Sequence, residues 1–114
     1  MPHIKLEHTK TLSKQTIQSI FESIKNILLN NTKIKEENCK FKAIQYPIFN
    51  IGENKFKHFY HLKISILIGR PQKIKEIIKK NSLNILAEYS DANNSLSVEI
   101  HEINPDNYIT KNDI

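Results

Sequence analysis

A proline stands directly after the first methionine, and it leads into His3-Ile4-Lys5-Leu6-Glu7, whose alternation reads as a β-strand. Removal of Met1, usual when the second residue is small, exposes on Pro2 a secondary amine at the head of that strand. An α-amino group titrates at about pH 8 in water. Apolar burial or nearby cations lower that value towards neutrality, where a general base works best. Met-Pro is equally an ordinary start, and with Met1 retained the Pro2 nitrogen is an amide without basicity. Arg70 is the second candidate. It is the sole arginine in a chain whose Lys and Arg total 17. A planar guanidinium grips a carboxylate through two parallel hydrogen bonds, which lysine cannot reproduce. A lone arginine also suits a helix start or a surface ion pair.

The elements that must position these groups follow from periodicity. Residues 2–8 form the first strand. Ser13 is an N-cap for a helix whose apolar stripe is Ile17, Ile20, Phe21, Ile24, Ile27 and Leu28, closed by Asn30-Asn31-Thr32. A second strand runs from about Cys39 to Tyr46 and is interrupted by Pro47. Residues 48–56, with Gly52-Glu53-Asn54 as the turn, read as a short ribbon. His58 to Ile68 is a third strand, and its run Ile64-Ser65-Ile66-Leu67-Ile68 suits burial on both faces. Gly69-Arg70-Pro71 turns the chain, with Pro71 at the first helical position. The second helix presents Ile74, Ile77, Ile78, Ile85, Leu86 and Tyr89. Leu96 to Ile103 is the last strand, and Asn104-Pro105 ends it. Residues 106–114 are a polar tail anchored through Tyr108 and Ile109.

The order is strand–helix–strand, ribbon, strand–helix–strand: two similar halves of about 45 residues. Each half is a right-handed crossover unit with parallel strands. The fold class is therefore α+β, of α/β character: two β-α-β repeats form one four-stranded sheet with two helices on one face. The 114 residues make a single domain. The other face lacks cover, which predicts association between subunits.

Composition narrows the function. Net charge is +5, but the lysines are scattered without a tail or dense run, so a pocket for small anions fits as well as a nucleic-acid face. No segment reads as a membrane span or signal peptide, and the expected compartment is the cytoplasm. Cys39 is the only cysteine, so no intrachain disulfide forms and the residue reads as a packed thiol.

Taken together, Pro2-His3, Glu7, Lys40-Phe41-Lys42, Gly69-Arg70 and the closing Leu96-Ser97-Val98-Glu99-Ile100-His101-Glu102-Ile103-Asn104-Pro105 resemble the 5-carboxymethyl-2-hydroxymuconate delta-isomerase family. This family belongs to the tautomerase superfamily with an N-terminal proline. The likeness runs from residue 1 to about 105, and the final segment is its most specific part. It implies a tautomerase-like fold, a homotrimer with pockets where subunits meet, and an isomerase of aromatic-compound catabolism that needs no cofactor. It further implies that Pro2 shuttles a proton as general base and acid and that Arg70 clamps a substrate carboxylate. Lys40 stands where the family has its other functional arginine. Lysine attracts an anion as a point charge but offers no fork, which leaves a simpler keto–enol acid open as the substrate. The partner is thus a small carboxylate substrate, with no membrane or nucleic-acid partner expected.

Other groups are less directed. His3 borders the Pro2 pocket or serves structure, and His58 and His61 lie three apart on a strand and so face opposite ways. No histidine pair has zinc-like spacing, and no metal site is expected. Phe59 and Tyr60 are core residues in the absence of an RNA-recognition signature. The rival reading is a non-enzymatic, basic module of ferredoxin-like order that binds nucleic acid or a protein, and it predicts an antiparallel sheet. A family member that kept the fold and lost activity is a third.

Overall fold

The computed structural model describes residues 1–52 and 55–114. Its elements are β1 (His3–His8), α1 (Lys14–Asn31), β2 (Lys40–Gln45), β3 (His58–Leu67), α2 (Gln72–Glu88) and β4 (Asn94–Ile103). The four strands form one sheet in the order β2-β1-β3-β4. β1 pairs in parallel with β2, and β3 with β4, while β1 and β3 run antiparallel in the centre. Two crossover units are thus joined side by side, as expected, and an all-antiparallel sheet of the rival kind is excluded.

One face of the sheet carries both helices. Ile4, Leu6, Tyr60, Leu62, Ile64 and Ile66 project from the strands and are buried. They meet Ile20, Ile24 and Leu28 of α1 and Ile78 and Leu86 of α2, all fully buried. Each such aliphatic side chain contributes about 1.5–3 kcal/mol on leaving water. The Ser13 hydroxyl caps α1 by accepting from the Thr16 N–H at 3.0 Å. Gly69 has φ +118°, a conformation that favours glycine, and it turns β3 towards α2. Pro71 is the N-cap of α2 and not its first helical residue. Its ψ of 144° keeps it extended while its carbonyl accepts the first helical N–H bonds, from Ile74 and Lys75.

The opposite face has no helix over it, as expected. Residues in register across it are His3, Lys5 and Glu7 on β1, Lys40 and Lys42 on β2, and Lys63 beside Glu99 on β3 and β4. Lys5 pairs with Glu7 at 3.9 Å. His61 donates through Nε2 to Glu99 at 2.8 Å and bonds the Ser97 hydroxyl through Nδ1 at 2.6 Å. This face is open and mostly polar, but it also carries Ile44, Leu67 and Ile103. β3 is likewise covered on one side only, with Ser65 on the open face and Ile68 about half exposed at 49%. The ribbon expected over residues 48–56 is not a pair of strands. No strand forms between Gln45 and His58 among the described residues, and Glu53 and Asn54 of the expected turn lie outside them. Among the described residues no helix is long and apolar enough to cross a membrane.

Ser82 lies in the α2 stripe at 0% exposure, and its hydroxyl has no hydrogen-bond partner among the described residues. A buried unpaired polar group costs about 1–3 kcal/mol. Ser82→Ala is therefore expected to stabilise the fold by about 1 kcal/mol, read as a higher midpoint in urea unfolding. A lower midpoint would show that the hydroxyl is satisfied.

Candidate active site

The central position of β1 fixes the start of the chain. Ile4, Leu6 and His8 hold its inner face in the core, and strands flank it on both sides. Pro2 immediately precedes β1 and is buried. Its carbonyl accepts the Lys40 backbone N–H at 3.1 Å, which carries the parallel ladder one step beyond the strand end. This bond places Lys40, at the head of β2, beside Pro2. Met1 and Lys40 then line a cleft of about 510 Å3 together with Asn38, Leu67 and Tyr108. The amino group at the head of the chain titrates below its ordinary value of 8.0, first through burial and then through the Lys40 cation. The chain's amino group, here on Met1, and the Lys40 cation therefore share one cavity.

Arg70 is placed differently. It follows Gly69 in the β3–α2 turn, and its Nη1 donates to the Leu67 carbonyl at 3.1 Å. Within one chain it lines a separate cavity with Asn31, Thr32 and Lys33, and not the Pro2 cleft. Leu67 connects the two, since its side lines the first cleft and its carbonyl holds Arg70. Arg70 forms no ion pair among the described residues, so a surface salt bridge does not account for it.

The far wall of the cleft comes from the C-terminal segment. Asn104 accepts the Asp106 N–H and opens a short 3-10 turn at Pro105–Asn107. A second turn at Lys111–Asp113 is closed by Asp113, which accepts from both the N–H and the hydroxyl of Thr110. These turns bring Tyr108, Thr110 and Asn112 to the cleft. Tyr108 is the anchor, with its hydroxyl 3.0 Å from His3 Nε2 and its ring 5.9 Å from the imidazole. Ile109, expected as a second anchor, is 69% exposed and anchors nothing. The sequence shows these residues only as a polar tail, and nothing local signals that they return to the start of the chain.

The remaining candidates stand apart. Cys39 is half-buried, and burial raises its thiol pKa, which disfavours the thiolate. Tyr60 is a core residue that donates to the Tyr89 carbonyl at 2.9 Å. His58 bonds Thr9 at 3.0 Å on the helix side, whereas His61 lies on the open face. Among the described residues no three His, Cys, Asp or Glu side chains cluster to hold a metal ion.

Two parallel-paired crossover units with both helices on one face of the sheet define a tautomerase-like fold. The chain belongs to the 5-carboxymethyl-2-hydroxymuconate isomerase family, whose profile matches residues 2–114. No curated protein sequence matches it. Among solved structures it is similar to a 5-carboxymethyl-2-hydroxymuconate isomerase from Deinococcus radiodurans R1. The TM-score is 0.80 at 23% identity, over 96% of this chain and 88% of that one. A fused 4-OT symmetric trimer gives a TM-score of 0.82 at 8% identity, over 98% of this chain and 94% of that one. A macrophage migration inhibitory factor-like protein from Entamoeba histolytica gives 0.76 at 12% identity, over 96% and 95%. At these identities the structures establish the fold, and the profile establishes the family.

The His3 ring titrates below its ordinary value of 6.5 because of burial, the neighbouring amino terminus and the cations of Lys40 and Lys42. The unfolded chain then binds this proton more readily than the folded one. The stability His3 contributes is present above pH 6.5 and is lost as the pH falls through that value towards the lower folded pKa. Between pH 7 and 5 the melting temperature of His3→Gln is expected to fall less than that of the wild type. Parallel melting curves would remove this role from His3.

Proposed function

We propose that this chain is a cofactor-independent tautomerase that moves a proton within a small unsaturated hydroxy or keto carboxylic acid. The observation that carries the reading is the buried Pro2 bonded to the Lys40 backbone beside a cationic cleft. With Met1 removed, the amine becomes the Pro2 ring nitrogen. Pro2 lies at the head of a central strand beside the Lys40 cation, and a neighbouring cation favours the neutral amine. That amine accepts a proton from the substrate and returns one to a different atom of the same molecule. A C–H bond and an O–H or second C–H bond exchange, with no net oxidation, and no cofactor enters the balance.

Lys40 holds a carboxylate or the developing enolate as a point charge. Arg70 holds a substrate carboxylate from outside the Pro2 cleft of its own chain. A homotrimer unites these parts, in keeping with the fused 4-OT proteins of the same fold that form trimers. The contacts that hold the trimer draw on exposed apolar side chains: Ile44 on the open sheet face, and Ile48 and Phe49 just beyond β2. A substrate of aromatic-compound breakdown fits the family, and the exchange of a family arginine for Lys40 favours a simpler keto–enol acid.

Protein shown by intact mass to begin with Pro2 is expected to ketonise phenylenolpyruvate, and Pro2→Ala to lose about 100-fold or more in kcat. Equal rates for the two would end the proline mechanism. Arg70→Ala is expected to raise KM for carboxylated substrates roughly 10-fold or more, since a hydrogen bond to a charged group is at stake. Unchanged KM and kcat would remove Arg70 from the site.

A further inference from the structure

The C-terminal wall of the cleft contains one group with catalytic chemistry that the proline mechanism does not use. Tyr108 lines the cleft that holds the chain's amino group and Lys40. Its hydroxyl is fixed by His3, the residue next to Pro2. The contact spans 105 positions, so it links the two ends of the chain across the site. It is also a defined geometry, because the 3-10 turns on either side of Tyr108 are each closed by side-chain caps. Of the other donors along the cleft, the Thr110 hydroxyl is committed to Asp113 and Lys40 donates to the Asn38 backbone carbonyl, while the amides of Asn38 and Asn112 also line it.

We propose that Tyr108 is a catalytic residue whose hydroxyl donates a hydrogen bond to the substrate oxygen that gains negative charge during proton transfer, with His3 as its positioning residue. In this arrangement the His3 Nε2–H donates to the Tyr108 oxygen and leaves the phenolic proton free for the cleft. A hydroxyl that accepts one hydrogen bond is polarised and donates a stronger one. Tyr108 keeps its proton throughout. The enol O–H bond breaks and a C–H bond forms at the carbon served by Pro2, while the intervening charge rests on oxygen between Tyr108 and Lys40. Donors preorganised at such an oxygen act in the transition state more than in the bound substrate. The inference rests on the tautomerase reading above.

The test uses the full chain with a verified Pro2 terminus and phenylenolpyruvate as the probe. Tyr108→Phe is expected to lower kcat roughly 100-fold, as for loss of one oxyanion donor, with KM changed by less than about 3-fold. His3→Gln, whose amide N–H still donates, is expected to retain more activity than His3→Phe. Circular dichroism and melting curves confirm that each variant folds. If Pro2→Ala is inactive while Tyr108→Phe matches the folded wild type, this proposal is overturned and the proline reading stands. If Pro2→Ala matches an active wild type, or the wild type itself is inactive, the proline reading fails and this one falls with it. A Tyr108→Phe defect confined to KM, or equal activity in His3→Phe and His3→Gln, would reduce the pair to a structural strap and overturn the proposal.

Discussion

Everything in this molecule depends on holding its first strand in the middle of the sheet. β1 is only six residues long, yet it pairs on both edges, and its inner residues Ile4, Leu6 and His8 are almost fully buried. A chain terminus normally frays because few contacts tie it down. Here the hydrophobic core and two hydrogen-bonded ladders do so, and the Lys40 N–H extends the pairing to the Pro2 carbonyl. The same burial that stabilises the fold removes solvent from the amino end. Fold energetics and acid–base chemistry are therefore set by one packing arrangement.

The two sheet faces divide the labour. The helix side supplies nearly all the apolar burial. The other side carries Lys5, Glu7, Lys63, Glu99 and the Ser97–His61–Glu99 chain of hydrogen bonds. Partly exposed pairs of this kind contribute little to stability, but they keep the surface hydrated.

Much of this was legible in the residues. The Ser13 cap, the two helical stripes and the alternation Ile4, Leu6 against Lys5, Glu7 encode local structure directly, and each has its expected place. Pro2 and Lys40 meet because parallel pairing of the first two strands was readable from the crossover unit. What stayed hidden depends on long-range contacts. The apolar residues Ile48, Phe49, Ile51 and Phe56 have the composition of strands, but no strand forms there among the described residues. The run from Ile64 to Ile68 reads as doubly buried, yet there is no second helical layer to cover it. Ser82 interrupts the α2 stripe as a polar residue and still faces the core. Tyr108 lies 105 residues from His3, and no local signal reports that contact.

The place of β2 at the rim of the sheet has a consequence for the chain before it meets its copies. An unpaired strand margin invites indiscriminate stacking with other chains, and short length and lysines are the usual protection. β2 is six residues long and carries Lys40 and Lys42, both exposed. The cation beside Pro2 thus also guards a strand margin, where its charge discourages random adhesion between separate chains.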